Sequence, residues 1–367
     1  MTGWDEIRRD FPATARGVFL NAAAGSPVPR PVSEAVSTYL REAGEDDRWR
    51  PWLERQERAR EAVAGLVGAD ADEIAFVTNT SAGMNLIADL LAGDGAVLSD
   101  ELEFPTVTLP WIHRGVAVHF VPAVEGVLHL ESFALADAPK AATICVSHVQ
   151  FSNGCRQDLD AFGALKQHRR LVVCGSQSVG AFPVDVRRSG IDALASAGYK
   201  WLCAGYGTGF VYVSRELLER PPRSIGWRSV ERPLEYNNRE YTLLASARRY
   251  EMGCPAFASA LALGAAVQYV TGIGVEAIAQ RVLELNAYLT GRLEHEGFTV
   301  LSPGGAHRSG ETLVQLADPR SACHALLERG IHVTRKPEGV RVSTHFYNNE
   351  EDVDRCVQAL REHAATA

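Results

Sequence analysis

Short apolar runs rich in Val, Ile and Phe alternate with longer segments of helical period through roughly residue 215. "EIAFVT" (73–78) precedes the helix-like "AGMNLIADLLA", and "GVAVHFVPA", "AATICVSHV", "LVVC" and "GFVYVS" follow in turn. Patterns such as "DLDAFGALKQH" stand between some of them. Strands separated by helices predict an α/β fold with a mostly parallel sheet covered on both faces. In such sheets ligands gather at the carboxyl ends of the strands.

After about residue 245 the texture changes. One long helical stretch, "ASALALGAAVQYVTGIGVEAIAQRVLELNAYLTGRLEHEG", leads into "FTVLSP", "TLVQLA", "IHVTRK" and "VRVSTHF". This part reads as a smaller α+β domain. The expected division is a large α/β domain at 15–245 and a small one at 246–367, with 1–14 added to the latter. The last segment, "NNEEDVDRCVQALREHAA", opens with an Asn cap and acidic residues in its first turn, as a helix start prefers. The charged "EDDRWRPWLERQERAREAVAGLVG" predicts an amphipathic surface helix with no chemistry assigned.

Composition narrows the function. With 367 residues, 46% hydrophobic and 22% charged, the chain has material for a substantial core. A net charge of −8, with scattered Lys and Arg, argues against nucleic acid as a partner. The N-terminus lacks the apolar centre of a signal peptide, and no run of about 18 apolar residues suggests a membrane span. Seven cysteines without CxxC pairs suggest reduced thiols and a cytoplasmic location. Eleven histidines without HExxH spacing give no metal site.

Candidate chemistry begins at "SAGYKWLCAGYGTGF" (196–210), where Lys200 stands among a Tyr, a Trp and four glycines between apolar runs. A lysine serving only solubility does not need such surroundings. "TNTSAGMN" puts Thr80 and Ser81 at or beside a helix start, a place for a phosphate or simply a cap. "VVCGSQSVGAFPVDV" ends a buried strand in Cys174, with Gln177 three residues on. Phe104, before Pro105 in a loop after a strand, either lies on a flat ring or plugs a core edge. Arg341, inside the apolar "GVRVSTHF", needs an anionic partner, either an internal Asp or Glu or a substrate carboxylate. Together these are the parts that a pyridoxal phosphate enzyme requires: an amine, an anion turn, a ring site and a carboxylate clamp.

The series "FLNAAAGSPVPRPV", "TNTSAGMNLIA", "VSHVQFSNGCRQDL", "SQSVGAFPVDV", "GYKWLCAGYGTGFVYV", "RRYEMGCPAF" and "RVSTHFYNNEEDVDR" resembles, nearly end to end, the class V aminotransferase family of fold-type I pyridoxal phosphate enzymes. That family includes cysteine desulfurases, kynureninase and isopenicillin N epimerase. The resemblance implies a seven-stranded, mostly parallel sheet, a small C-terminal domain and a homodimer with the site at its interface. It makes Lys200 the Schiff-base lysine and the base that moves the Cα proton. It gives Phe104 to ring stacking, Gln177 to the cofactor's phenolic oxygen, and Thr80, Ser81 and Tyr199 to the phosphate. Trp227 is implied to approach the phosphate from a partner subunit, and Arg341 to grip the substrate carboxylate.

The departures matter as much. Cys174 stands where the family carries an Asp that pairs with the pyridine nitrogen, and a neutral thiol is a weak donor. A charge-assisted bond of about 1.5–3 kcal/mol lost from the transition state costs on the order of 10- to 150-fold in rate. Cys254 replaces a Thr, Ala197 replaces a polar residue, and "VTRKPE" lacks the desulfurase cysteine. A nearly neutral ring suits elimination of a good leaving group. The expectation is therefore a β-eliminating or C–S lyase on a small α-amino acid. An aminotransferase or epimerase, or a degenerate member that only binds cofactor or amino acid, are the alternatives.

Overall fold

The structure is a computed structural model describing residues 3–47, 49–136 and 140–365; Arg48, within the charged segment, lies outside the described residues. The chain opens with α1 (Trp4–Arg9), β1 (Val18–Phe19), α2 (Arg30–Glu45) and α3 (Trp49–Val67). Strand β2 (Ile74–Phe76) then feeds α4 (Thr80–Leu91), and β3 (Ala96–Asp100) feeds α5 (Pro105–His113). Next come β4 (Val118–Val121), α6 (Leu130–Leu135), β5 (Ala141–Ser147) and α7 (Leu159–Leu165). Strands β6 (Arg170–Cys174), β7 (Ala193–Ala197) and β8 (Gly209–Val213) precede α8 (Arg215–Leu218). Helices α9 (Phe257–Ile273) and α10 (Val275–His295) lead to β9 (Glu311–Gln315) and α11 (Pro319–Glu328). The chain closes with β10 (Ile331–His332), β11 (Thr334–Arg335), β12 (Gly339–Ser343) and α12 (Glu350–Ala364).

The central seven-stranded sheet has the order β2-β8-β7-β6-β5-β3-β4. Its strands from β7 to β4 run parallel, and β8 is antiparallel to both β7 and β2. The carboxyl ends of β3, β5, β6 and β7 therefore open at one edge of the sheet. Because β2 is antiparallel to an antiparallel neighbour, it points the same way and delivers the start of α4 to that edge. Topology thus gathers five loops there: 77–79, 101–104, 148–151, 175–177 and 198–200.

Strand β7, "ALASA", has no β-branched residue and does not stand out in the sequence, yet it is buried throughout. Its small residues answer to α4. A Cβ at Gly83 of α4 would meet the Ala195 Cβ at 2.8 Å, so helix and strand lie almost backbone to backbone. Larger side chains on this face of β7 would push the helix away.

One expectation changes. The single long helix predicted after residue 257 is two helices, broken at Gly274, whose φ of +97° is outside the helical range. The pair bends by 78°; among the described residues no single helix is long and apolar enough to cross a membrane. Helix α9 packs against α2 and α3. Helix α3 has the expected amphipathic form: it buries Trp52, Ala59, Arg60 and Val63 along one face and exposes the other. Arg60 is paired at 2.5 Å with Glu251 and donates to the Ile74 carbonyl at 2.8 Å.

A second layer forms around the antiparallel sheet β11-β12-β9. Leu289, Leu293, Val314, Leu326, Val353 and Val357 form its core, joined by Val18 and Leu20 from the start of the chain. Strand β1 pairs in parallel with β10, so the N-terminal segment is tied to this layer.

Candidate active site

The turn entering α4 is capped by Asn79, whose side chain accepts from the Ala82 N–H at 2.9 Å. Helix geometry leaves the first-turn N–H groups of Thr80 and Ser81 without intrahelical partners, and the dipole favours an anion there. The Thr80 hydroxyl is buried 2.5 Å from the Ser176 hydroxyl, while exposed Ser81 shares a hydrogen bond with Thr106. The cap is thus Asn79, and neither Thr80 nor Ser81 serves as one: Thr80 is already the first helical residue. Ser176 and Thr106, which tie the turn to two neighbouring loops, were not singled out in the sequence.

Lys200 follows β7 in a tight reversal, with the Cys203 N–H donating to the Lys200 carbonyl at 3.1 Å. Gly205 and Gly207 at φ +81° and +82° complete the bend back into β8. Burial lowers the Lys200 pKa, opposed by Cys174 and Glu311 and reinforced by Arg341. A lowered pKa increases the unprotonated fraction, the nucleophilic and basic form. Beside it the Tyr199 ring stacks on Tyr206 at 4.6 Å, and the Tyr199 carbonyl accepts from the Ser26 N–H at 3.0 Å.

Cys174 ends β6 opposite Ser147 of β5 and Ala195 of β7. Burial, then the nearby Glu103, push its thiol pKa up, so it is a neutral S–H at ordinary pH. Gln177, three residues on, donates to the Ala23 carbonyl at 3.0 Å and accepts from the Trp201 indole N–H at 2.9 Å. Ala197 is buried at the end of β7 and brings no polar atom to this edge.

Next to Phe104 the structure places a pair of carboxyl groups that sequence reading missed, the buried Asp100 and the half-buried Glu103. Gln150 Nε2 donates to both Asp100 Oδ2, at 3.1 Å, and Glu103 Oε1, at 3.0 Å. Glu103 also accepts from the Ser147 hydroxyl at 2.6 Å and from the Ser147 N–H. Burial raises the pKa of both acids, and the Glu103 charge pushes Asp100 well above the usual carboxylate range. Glu103 has the better set of donors, so Asp100 is the one that keeps its proton. Two acids at the end of the fully buried β3, in "SDELEF", were the available signal.

Phe104 is the residue just before α5 rather than part of a free loop, with Pro105 at the first helical position. It is 47% exposed, and its ring meets Phe151 edge-on at 4.9 Å, so it plugs no core. Arg341, buried in β12, donates to the Phe151 carbonyl at 2.8 Å and lies 3.1 Å from Glu311 Oε2 of β9. Of the two partners foreseen for Arg341, the internal carboxylate is present. Neither Glu311 oxygen receives a well-aligned hydrogen bond, and burial raises its pKa. An acidic residue opening the apolar "ETLVQ" could have signalled it.

Trp227 belongs to another region. It stacks on Tyr236 at 6.3 Å and lines a surface cavity of about 510 Å³ between residues 225 and 242. Exposed Cys254 lines a cavity of about 170 Å³ with Thr78 and Thr208, alongside the turn before α4.

Residues 18–356 match the family model described as aminotransferase class-V. The chain is 30% identical over 399 residues to the isopenicillin N epimerase of Amycolatopsis lactamdurans, covering 98% of each chain. It is 28% identical to an uncharacterized aminotransferase of Bacillus subtilis, over 97% of each. The fold superimposes on the cysteine desulfurase of Thermococcus onnurineus with a TM-score of 0.90, at 24% identity over 99% and 98% of the two chains. It also superimposes on the cystine C–S lyase C-DES in complex with cysteine persulfide, with a TM-score of 0.87, at 23% identity over 96% and 99%. The seven-stranded, mostly parallel sheet is thus that of the fold-type I enzymes.

Proposed function

This chain belongs to the aminotransferase class-V family, and from that membership we propose that it is a pyridoxal 5′-phosphate enzyme acting on a small α-amino acid by β-elimination or C–S cleavage. The site fits the cofactor. The open first turn of α4 with Thr80 and Ser81, together with Tyr199, would hold the phosphate. Phe104 would lie on the ring, and Gln177 Nε2 would donate to the ring oxygen. Lys200 supplies the amine, and Arg341 faces the substrate carboxylate. Trp227 of the partner subunit would close the phosphate site in a homodimer. Exposed Phe104, Leu109 and Ile112, which share one surface groove along α5, support a second copy covering that face.

When bound, pyridoxal phosphate supplies an electrophilic carbonyl and a ring that withdraws electron density from the substrate Cα. The protein's own part is positional. Lys200, with its lowered pKa, takes the proton from Cα. Arg341, oriented by its hydrogen bond to the Phe151 carbonyl, fixes the carboxylate end of the substrate. The observation that carries the lyase reading is the buried, neutral Cys174 thiol at the end of β6: standing where the family's Asp would meet the ring nitrogen, it would hold no positive charge there. A ring of low electron demand suits loss of a leaving group from Cβ as the proton departs. The seven unpaired cysteines and the net charge of −8 support a cytoplasmic enzyme without a nucleic-acid partner.

The test is an absorption spectrum of wild type and Lys200→Ala after addition of pyridoxal phosphate. A visible band present only in wild type is expected; no band in either would overturn the cofactor assignment. Wild type should then release pyruvate from sulfur-containing amino acids, and Cys174→Asp should shift turnover toward transamination. Turnover of wild type that depends strictly on an α-keto acid acceptor would replace the lyase reading with an aminotransferase.

A further inference from the structure

The hairpin of β11 and β12 carries a cation that the proposed reaction does not use. Lys336, one residue past β11, donates its N–H to the Gly339 carbonyl at 2.8 Å across the turn. Its ammonium lies 3.9 Å from the centroid of the Phe151 ring, within cation–π range. Phe151 is the same residue whose carbonyl takes the Arg341 hydrogen bond and whose ring meets Phe104 edge-on. Lys336, Phe151, Phe104 and Arg341 therefore form one continuous wall.

The charges on this wall do not balance. Lys200, Arg341 and Lys336 influence one another electrostatically, and Glu311 is the acid that answers all three. That acid is already in contact with Arg341. Among the described residues Lys336 has no carboxylate within ion-pair distance. Burial, then Arg341 and Lys200, lower its pKa to about 8; Glu311 and Glu338 oppose the shift at a distance without reversing it. A partly buried, unpaired ammonium beside a substrate site is costly unless an anion arrives to meet it.

We propose that Lys336 is a specificity residue that binds a second anionic group, a carboxylate or the sulfur oxyacid equivalent, at the side-chain end of the amino-acid substrate. The substrate class is thereby narrowed from small α-amino acids in general to acidic ones. Arg341 takes the α-carboxylate, and Lys336 takes the far anion across the Phe151 ring. This inference rests on the assignment of Arg341 made above for the proposed function.

The experiment is a calorimetric titration of the purified protein, with and without added pyridoxal phosphate, using succinate and butyrate as four-carbon probes. Wild type is expected to bind succinate about tenfold or more tightly than butyrate, the scale of one charge-assisted hydrogen bond. Lys336→Met should abolish that preference while leaving butyrate affinity in place, and Lys336→Arg should retain it. Equal wild-type affinity for the two acids would overturn the proposal. So would a Lys336→Met variant that weakens both probes alike, since Lys336 would then serve the α-carboxylate. Should Lys336→Met fail to melt cooperatively, Lys336→Gln replaces it under the same criteria. The probes need no cofactor chemistry, so loss of the Lys200-dependent band and loss of the succinate preference report separately on the two readings.

Discussion

The indole N–H of Trp201 donates to Gln177 Oε1 at 2.9 Å, and this contact decides which way the Gln177 amide faces. The amide nitrogen is consequently turned to the Ala23 carbonyl at 3.0 Å. A flipped amide would set nitrogen against N–H and oxygen against C=O. One hydrogen of Nε2 stays available, so Gln177 meets a ligand as a donor. Replacing Trp201, which is fully buried, with Phe removes the orienting bond. Trp201→Phe should weaken pyridoxal phosphate binding by a factor of about 2–10, from roughly 0.5–1.5 kcal/mol, in a fluorescence titration. Unchanged affinity would mean the amide is held by other contacts.

The close approach of Gly83 to Ala195 ties the phosphate turn to the sheet. Gly83→Val drives a side chain into β7 and should lift the start of α4, moving Thr80 and Ser81 with it. Overpacking of this kind costs about 1–3 kcal/mol, readable in urea denaturation. Cofactor affinity should fall alongside. A stable variant with normal affinity would show that α4 tolerates displacement.

The Asp100–Glu103 pair makes stability depend on pH. The raised folded-state pKa of Asp100 means the folded chain keeps a proton that the unfolded chain has already lost. That contribution is complete below the unfolded carboxylate pKa and is lost as pH rises from there through the folded value. Asp100→Asn cannot ionise and should flatten this decline, so its stability relative to wild type improves with rising pH. Chemical denaturation of both proteins across the acidic-to-neutral range checks it; parallel curves would contradict the proton assigned to Asp100.

Glu311→Gln leaves the buried Arg341 guanidinium without its counter-charge. Breaking a buried pair in this way costs about 3–5 kcal/mol, so the variant should melt well below wild type. An added monocarboxylate then supplies the missing charge. Butyrate should consequently raise the melting temperature of Glu311→Gln more than that of wild type, and an equal rise in both would argue that Glu311 does not compete for Arg341.

Much of the site was legible because it lies in short motifs at strand ends. Thr80 and Ser81 are marked by a strand followed at once by a helical period, and Lys200, Cys174 and Gln177 by Gly-rich turns after apolar runs. Strand β7 was hidden since its alanines and one serine suit the close approach of α4 rather than any strand propensity. The break at Gly274 was hidden because apolar period continues on both sides of it while the face it addresses changes.

The sequence by itself determined the alternation of strands and helices, the residue types at the strand ends and, through their order, the family. These are local properties, recorded in periodicity and turn chemistry. Tertiary structure alone decided the partners. Glu103 reaches Ser147 across 44 residues, and Trp201 reaches Gln177 across 24, because parallel strands bring distant loops to one edge. Glu311 meets Arg341 because the register of β9 on β12 sets Glu311 opposite Ser343, two residues along the same strand. No pattern in one segment records which segment will lie beside it, and the charges of this site take their values from those neighbours.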